Sequence, residues 1–347
     1  MFLIRNPFVL ALCCLSITAS ATVANAADKR PIPIIFDTDM GNDIDDAQAL
    51  AVIHALESRG ECKLLAVTVT KENPYAAAYV DLVNTFYGRG DIPIGTVRNG
   101  MTPKPGRYVK AVATAKDNGK QRYPHDLTSG ADAPEATGLL RKTLAAARDG
   151  SVVVIQVGFS TNLARLLDTK GDEYSPLDGK SLVKKKVRLL SIMAGVFEPK
   201  RMAKRDKEYN IRIDIPTAKK VLEQWPTPIV ISGHEIGQAI LYPVASILND
   251  YGYVKHHPIR EGYELYLKMP YSRPTYDLTS VLYAIRPDRG YFGLSKPCDL
   301  VVEEDGFVRV DENPQGRCRY LTVDHDQIIR VKEVLAALSS QPPQKKK

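Results

Sequence analysis

The order of apolar segments along the chain constrains the fold more than any other feature. Continuous apolar runs alternate with segments of helical pattern. The strand-like runs are PIPIIFDTD, CKLLAVTVT, IPIGTV, SVVVIQVG, VRLLSIMAG and TPIVISG. The helical segments are DDAQALAVIHALES, PYAAAYVDLVNTFYG, STNLARLLD, IPTAKKVLEQW and HEIGQAILYPVASIL. Because this alternation is typical of βαβ units, we predict an α/β fold with an open, mostly parallel twisted sheet, helices on both faces and a Rossmann-like core.

The segments outside this alternation predict additions to the same domain. After Arg286, the runs DLVVEE, GFVRV and CRYLTV and a helix from Asp324 predict a small C-terminal β/α appendage. Residues 98–135 are rich in Gly, Pro, Lys and Asp, which predicts a long loop near the active face. The chain has 347 residues, of which 44% are hydrophobic, which is enough to form one large hydrophobic core. We therefore predict a single domain over residues 27–340.

The first residues have the pattern of a secretory signal peptide. Arg5 precedes the apolar run Phe8–Ala19, and the small-residue sequence ANA follows. This predicts a signal peptide over residues 1–26 and a secreted or periplasmic protein. The apolar run is too short for a membrane span, so no stable membrane insertion is expected. A lipid on Cys13 is an alternative, although Leu12 is larger than lipid-attachment sites usually accept.

The positive charge of the chain is concentrated in a few basic runs. The formal net charge is +7, and much of it comes from Lys184–Lys186, PKRMAKRDK and the end QPPQKKK. These runs lack the interleaved aromatic residues of nucleic-acid-binding motifs, so we predict solvated surface and no nucleic-acid partner. Residues 341–347 are predicted to form a disordered basic tail.

Three cysteines follow the predicted signal peptide: Cys62, Cys298 and Cys318. An odd number excludes a complete disulfide framework. Cys298 and Cys318 could pair in an oxidising compartment, or all three could be buried and unpaired. The absence of a CxxC sequence argues against a cysteine-based zinc site.

Five aspartates follow the first predicted strand within ten residues: Asp37, Asp39, Asp43, Asp45 and Asp46. Carboxylates at such short spacing repel one another unless a cation lies among them. Helix capping accounts for the two that open the first helix and leaves the other three unexplained. Ligands of open α/β sheets bind at the carboxyl ends of the strands, where this cluster falls. The cluster therefore predicts a site for a hard divalent cation, which takes oxygen ligands.

Several segments also carry a family resemblance. DTDMGNDIDDA resembles the amino-terminal signature of the inosine/uridine-preferring nucleoside hydrolases, in a form two residues longer than the shortest. Four later segments, TVTKENPYAAAYVDLVN, VGFSTNLARLL, KEYNIRID and RPTYDLTSVLYAI, resemble family segments in the same order and extend the likeness over about residues 32–290. The resemblance implies hydrolysis of the N-glycosidic bond of ribonucleosides, or of a related N-riboside, to free base and ribose.

The resemblance implies one Ca²⁺ as cofactor. Its ligands would be Asp39, Asp46, Asp277 and the main-chain carbonyl of Thr161, which are all oxygens. The cation would lower the pKa of its bound water, and Asp39 would take the proton as general base. Attack by this water on the anomeric carbon implies inversion.

The resemblance also implies how ribose is bound. Asp45 and Asn73 would contact the 2′-hydroxyl, Asn210 and Asp277 the 3′-hydroxyl, and Glu208 the 5′-hydroxyl. Such groups would reject a deoxy sugar, because they would be left unpaired. The substrate-binding residues carried over from the family are Asp45, Asn73, Asn162, Glu208, Asn210 and Asp277.

The chain departs from the family pattern where the leaving base is protonated. In the best-known purine-cleaving branch a histidine precedes the last aspartate, and Tyr276 stands there instead. Tyrosine is a weak acid with a reference pKa of ~10, so Tyr276 could donate a hydrogen bond, stack on the base or simply pack beside a ligand. His125 could serve as the acid when the long loop closes, or be a surface residue. His234 follows the strand TPIVISG, where a structural role is the simpler expectation.

Other positions remain open in the sequence. We expect Asp37 to orient the ligands from behind, and we assign no role to Asp43. The segment between Gly195 and Glu208 lacks the family's usual Gly-Asn, which leaves part of the 5′-hydroxyl contact unassigned. The resemblance implies a small-molecule substrate and a possible homodimer or homotetramer.

Two other functions remain as alternatives. A non-catalytic, Ca²⁺-dependent riboside- or sugar-binding protein would account for Tyr276. A haloacid-dehalogenase-type Mg²⁺ phosphatase would use Asp37 as nucleophile, but the later lysine and the second acidic pair of that class are not evident.

Overall fold

The computed structural model describes residues 30–344 together with Phe2. The predicted signal peptide, residues 1–26, otherwise lies outside the described residues, as do Lys345–Lys347 of the predicted tail. Within the described residues, no helix is long and apolar enough to cross a membrane.

The described strands begin directly with the first apolar run of the sequence. They are β1 (Ile32–Thr38), β2 (Cys62–Lys71), β3 (Ile94–Met101), β4 (Lys116–Asp117), β5 (Lys120–Gln121), β6 (Val152–Gln156), β7 (Val187–Met193), β8 (Ile229–Ser232), β9 (Leu241–Tyr242), β10 (Arg273–Pro274), β11 (Gly293–Leu294), β12 (Cys298–Val302), β13 (Val308–Glu312) and β14 (Cys318–Thr322).

The main sheet is open and mostly parallel, as predicted. Its strand order is β13-β12-β14-β8-β7-β6-β1-β2-β3. Every pairing from β14 through β8 to β3 is parallel, whereas β12 pairs antiparallel with β13 and β14. The segment predicted as an appendage continues the sheet, because β14 pairs directly with β8.

The helices lie between the strands, in the alternation that the sequence predicts. They are α1 (Asp45–Ser58), α2 (Pro74–Phe86), α3 (Val109–Ala113), α4 (Ala136–Ala146), α5 (Thr161–Asp168), α6 (Gly179–Lys186), α7 (Pro199–Ala203), α8 (Tyr209–Ile213), α9 (Ile215–Gln224), α10 (His234–Ala239), α11 (Val244–Asn249), α12 (Pro258–Tyr266), α13 (Tyr276–Ile285) and α14 (His325–Ser339).

Strand β1 shows why the sheet is covered on both faces. Ile34 and Phe36 belong to one hydrophobic cluster, and Ile35 between them belongs to the other. Successive side chains of a strand point to opposite faces, so a continuous apolar run feeds two cores at once. The sheet therefore holds β1 rigidly in the centre, with its carboxyl end at one edge of the molecule.

The segment HEIGQAILYPVASIL differs from the prediction of one helical stretch. It forms α10 and α11 with β9 between them. Pro243 lacks the N–H that a continuing helix would need, and it precedes α11 with an extended backbone. Strand β9 pairs with β10, which brings Arg273 and the start of α13 close to α10. The interruption therefore helps to build the edge where the strands end.

The long loop predicted over residues 98–135 contains short elements of its own. These are the end of β3, helix α3, the β4–β5 hairpin and a 3₁₀ turn at Gly130–Asp132. The loop packs against the aspartate segment, because a Cβ on Gly106 would lie 2.0 Å from the carbonyl oxygen of Gly41.

The cysteines Cys62, Cys298 and Cys318 are free and buried. Cys298 on β12 is the register partner of Cys318 on β14, and its Sγ lies 3.5 Å from the Cys318 carbonyl oxygen. Of the two sequence alternatives, the structure has the unpaired one.

Candidate active site

The carboxyl ends of the central parallel strands open into one cavity of about 400 Å³. Asp39 follows β1, Val157 follows β6, Met193 ends β7 and His234 follows β8, and all four line it. Its acidic lining residues are Asp39, Asp43, Asp45, Asp46, Glu208 and Asp277. The sheet edge therefore gathers most of the predicted cluster in one place.

Three carboxylates of this cavity form a compact group. Asp45 and Asp46 lie in the first turn of α1, and Asp277 lies in the first turn of α13. One carboxylate oxygen of each lies within 4.8 Å of the others. The backbone N–H of Asp277 donates to Oδ2 of Asp45 at 3.1 Å, which ties the two helix starts together. Oδ2 of Asp46 is buried without a hydrogen-bond donor among the described residues.

Ionisation of these three carboxylates is unfavourable in the absence of a cation. Burial first, and then the neighbouring carboxylates, raise the pKa of Asp45, Asp46 and Asp277 well above the usual range. A divalent cation among them would favour the ionised forms. The donor set consists of oxygens, and one of them has no other partner, so these residues fit a hard cation such as Ca²⁺.

Asp39 lies beside this group rather than within it. It lines the same cavity, and its Oδ2 accepts a hydrogen bond from Nδ2 of Asn42 at 2.6 Å. Oδ1 of Asn42 accepts in turn from Nζ of Lys71 at 2.6 Å, and Lys71 is only 2% exposed. Burial raises the pKa of Asp39 to about 6. Asp39, the predicted ligand and general base, is thus oriented by the Asn42 amide, which the buried ammonium of Lys71 holds in place.

Glu208 and Asn210, both predicted to bind ribose, line the cavity. Glu208 caps α8 and accepts from the backbone N–H of Asn210 at 2.7 Å and of Ile211 at 3.1 Å. Nδ2 of Asn210 donates to the carbonyl of Val157 at 3.2 Å. Burial raises the pKa of Glu208 to about 7.

Other predicted site residues lie outside the cavity lining. Thr161 begins α5, and its Oγ1 donates to Asp214 at 2.5 Å. Asn73 caps α2 by accepting from the backbone N–H of Tyr75 at 2.9 Å, and it lines a neighbouring cavity. His125 lines a third cavity, around Gln121, away from the aspartates.

Asp37 and Asn162 form a buried pair behind the cavity. Nδ2 of Asn162 donates to Oδ1 of Asp37 at 2.9 Å, and Oγ1 of Thr68 donates to the same oxygen at 2.5 Å. Asp37 is 0% exposed, and burial raises its pKa to about 7. A fully buried carboxylate cannot reach a phosphate, which argues against the phosphatase alternative.

One group of lining residues consists of rings and cations. His234 and Tyr276 lie with ring centroids 4.8 Å apart. The guanidinium of Arg273 lies 5.2 Å from the ring centre of Tyr266 and 5.9 Å from that of Tyr276. Arg273 also forms an ion pair with Asp43, the aspartate for which sequence analysis assigned no role.

Sequence reasoning missed Asn42, Tyr266 and Arg273 as lining residues. Asn42 lies in the two-residue extension of the first motif, and Arg273 lies within the quoted segment RPTYDLTSVLYAI. Their polar side chains inside motif segments were the available signal. Tyr266, at the end of α12, carried no signal in the sequence.

Comparisons with known proteins identify a family by sequence and a shared fold by structure. A sequence model of the inosine-uridine preferring nucleoside hydrolases matches residues 34–340. A search of curated protein sequences found no match. Among solved structures, a plant nucleoside hydrolase is 18% identical, with a TM-score of 0.65 and coverage of 90% of this chain and 100% of that one.

Two further solved structures have the same fold. A purine-preferring ribonucleoside hydrolase from Gardnerella vaginalis is 14% identical, with a TM-score of 0.65 and coverage of 89% of this chain and 99% of that one. The type III effector protein XopQ, solved with adenosine diphosphate ribose, is 16% identical, with a TM-score of 0.64 and coverage of 91% and 95%.

Proposed function

The chain belongs to the inosine-uridine preferring nucleoside hydrolase family, and on this premise we propose that it hydrolyses the N-glycosidic bond of ribonucleosides or related N-ribosides in a Ca²⁺-dependent reaction. The observation that carries the proposal is the group of Asp45, Asp46 and Asp277, buried at the end of the central strands with oxygens within 4.8 Å of one another. The cavity around it, about 400 Å³, is large enough for a small ligand.

The cation would be held by Asp45, Asp46 and Asp277, with Asp39 beside them. The all-oxygen donor set favours Ca²⁺ over zinc, which prefers nitrogen and sulfur ligands. When bound, the cation supplies Lewis-acid chemistry at the sugar end of the cavity.

Asp39 acts in this proposal as the general base that takes a proton from the attacking water. Its carboxylate lines the cavity beside the three-carboxylate group, and Asn42 fixes its direction. Asp45 binds the 2′-hydroxyl and Asn210 the 3′-hydroxyl of ribose in this proposal, so that a 2′- or 3′-deoxy sugar leaves a polar side chain of the cavity unpaired.

The test uses the purified chain without residues 1–26. It is incubated with a panel of ribonucleosides and deoxyribonucleosides, with Ca²⁺ or with a chelator, and free ribose and free base are measured. Ribose release that requires Ca²⁺ supports the proposal, and no release from any nucleoside at saturating Ca²⁺ refutes it. Stoichiometric nucleoside binding without free base would instead favour the riboside-binding alternative.

A variant separates metal binding from folding. In the wild type, Ca²⁺ at ~100 times its Kd should add about 2.7 kcal/mol to the free energy of unfolding and so raise Tm. Asp46→Asn should abolish both this increase in Tm and ribose release. Asp326→Asn, at an exposed position in the first turn of α14, is the matched control and should keep both.

Two further expectations complete the proposal. We propose that residues 1–26 direct export, which N-terminal sequencing of the protein recovered from the periplasm or medium would test. Cleavage near Ala26 supports export, and an intact N-terminus contradicts it. We also propose a homodimer or homotetramer, which light scattering of the mature chain would distinguish from a monomer.

A further inference from the structure

The residues that line the cavity are of two chemical kinds. The aspartates, Glu208 and Asn210 offer oxygens and an amide, whereas His234, Tyr266, Arg273 and Tyr276 offer rings and N–H donors. If ribose binds among the oxygens, as proposed above, the leaving group faces the rings. This placement of the leaving group rests on the proposed function.

Tyr276 occupies the family position of the leaving-group acid, but its proton is already used. The hydroxyl of Tyr276 donates to Oε1 of Gln238 at 2.9 Å. Close packing fixes this position, because a Cβ on Gly237 would lie 2.5 Å from Cα of Tyr276. Tyr276 therefore contributes its ring to the cavity, while its hydroxyl proton is directed to Gln238.

His234 is a lining residue whose tautomer is determined by its surroundings. Its backbone N–H donates to the carbonyl of Gly195 at 2.9 Å, which fixes the start of α10. Nη1 of Arg201 lies 2.6 Å from Nδ1 of the His234 ring. A guanidinium only donates, so Nδ1 must be the unprotonated acceptor and the ring proton must lie on Nε2.

Arg201 is itself held in place. Its Nε donates to Oδ2 of Asp206 at 2.7 Å, so Asp206, Arg201 and His234 form a chain directed toward the cavity. Among the described residues, Nε2 of His234 has no hydrogen-bond partner. The ring is also held from the side, since it packs against Tyr276 at 4.8 Å between centroids.

The same surroundings keep the imidazole neutral. Burial first, and then the charge of Arg201, lower the pKa of His234 to about 4; Arg273 acts in the same direction and Asp206 in the opposite one. A neutral imidazole does not give up its Nε2 proton in water, but it donates a strong hydrogen bond from it.

We propose that His234 is the residue that stabilises the leaving group, by donating a hydrogen bond from Nε2–H to an acceptor atom of an N-heterocyclic base. As the bond from C1′ to nitrogen breaks, its electron pair passes to the base. The base departs as an anion held by this hydrogen bond and then takes a proton from solvent water. The attacking water forms the new C1′–O bond and loses its proton to Asp39.

This assignment predicts that the contribution of His234 depends on the leaving group. A purine or pyrimidine with a lone pair within reach of Nε2–H is stabilised by the donor as it departs. A leaving group that is already a good one, such as nitrophenolate, gains nothing from the donor, because it departs as a stable anion. Comparison of the two leaving groups therefore isolates the role of His234.

The experiment compares the wild type with His234→Phe and His234→Gln, on the ribonucleoside that the wild type cleaves best and on 4-nitrophenyl β-ribofuranoside. His234→Phe keeps a ring beside Tyr276 and removes the donor. We expect it to lower kcat on the nucleoside by about 100-fold and to change nitrophenyl riboside hydrolysis by less than about threefold. His234→Gln, which restores an N–H donor, should recover part of the nucleoside activity.

The outcomes separate this inference from the proposed function. If the wild type cleaves both substrates and His234→Phe leaves the nucleoside rate unchanged, or lowers both rates equally, the assignment of His234 is overturned. If the wild type cleaves neither substrate, the proposed function itself fails. Retained nitrophenyl riboside hydrolysis in His234→Phe also shows that the variant is folded.

Discussion

Nζ of Lys71 donates a hydrogen bond to Oδ1 of Asn42 at 2.6 Å. Because the other end of the same amide donates to Asp39, a buried ammonium acts on the carboxylate through one intervening side chain. Lys71 also donates to the carbonyl of Thr102 at 2.7 Å, which ties the long loop to the same chain of contacts. The extension in the first motif thus supports the site from behind.

Replacing Asn42 should therefore impair catalysis more than binding. Asn42→Ala removes the amide donor of Asp39 and one acceptor of Lys71, which keeps its bond to the Thr102 carbonyl, so we expect kcat to fall about tenfold with little change in KM. The free energy of unfolding should fall by about 1–3 kcal/mol. Asn249→Ala, which removes an exposed amide bonded to Ala245 within α11, is the control for both measurements. Unchanged kcat in Asn42→Ala would contradict the supporting role.

The close contact of Gly106 with Gly41 gives a second prediction. Gly106 has φ +62°, and a Cβ there would lie 2.0 Å from the Gly41 carbonyl oxygen. Gly119 also has a positive φ, +82°, but a Cβ there meets nothing within 4 Å. Gly119→Ala should cost about 1 kcal/mol of stability from backbone strain alone.

Gly106→Ala should cost more, by about 1–3 kcal/mol in urea unfolding, since the contact forces the loop or the aspartate segment to move. It should also lower kcat/KM, whereas Gly119→Ala should not. Equal effects of the two substitutions would show that the loop does not support the site.

Glu208 gives a prediction for the pH dependence of stability without a cation. Its folded pKa, about 7, lies above the ordinary carboxyl value, so the folded state holds more protons than the unfolded state between the two values. The contribution of Glu208 to stability is therefore present at low pH and is lost as pH rises toward 7. Glu208→Gln removes this dependence, so the stability of the variant relative to the wild type should increase as pH rises from 5 to 8.

The comparison with Glu208→Gln also removes the effect of other groups. Burial lowers the pKa of His54 and His257 to about 3, which makes stability rise with pH in the acid range. These contributions are the same in both proteins and cancel in the difference. Urea unfolding in chelator at both pH values measures it, with exposed Glu304→Gln as control. A relative stability that is independent of pH would refute the assignment.

The thiols should be unreactive in the folded protein. Burial raises the pKa of Cys62, Cys298 and Cys318, the last to about 12, so little thiolate forms at neutral pH. We expect slow reaction of the mature chain with a thiol-specific disulfide reagent, and reaction of three thiols after denaturation without reductant. Only one reactive thiol after denaturation would indicate that Cys298 and Cys318 had paired.

The sequence predicted the elements of this fold better than their pairing across the chain. Helix α1 has the bounds Asp45–Ser58 that the pattern indicated, since local periodicity and an acidic start define a helix. Strand runs were equally clear, because burial on both faces leaves few polar positions. The division into α10 and α11 was missed although Pro243 was visible, because the apolar pattern continues across it.

The site was predicted in part for the same reason. Asp45, Asp46 and Asp277 were found from motif segments, and they lie together as one group. The contacts of Asp43 with Arg273, and of Arg201 with His234, join residues 230 and 33 positions apart. No local pattern encodes such pairs, because they depend on how α10, β10 and α13 pack. Sequence reasoning therefore identified the carboxylate group and missed the contacts among His234, Arg273 and Tyr276.

The contact between Asp45 and the backbone of Asp277 spans 232 positions of the chain. During synthesis the first strands and α1 emerge long before α13, so the acidic segment exists for most of translation without its third carboxylate. A nascent or truncated chain that lacks α13 cannot assemble the three-carboxylate group, however well its earlier strands have formed. The three-carboxylate group therefore depends on a contact that can form only after most of the chain has been synthesised.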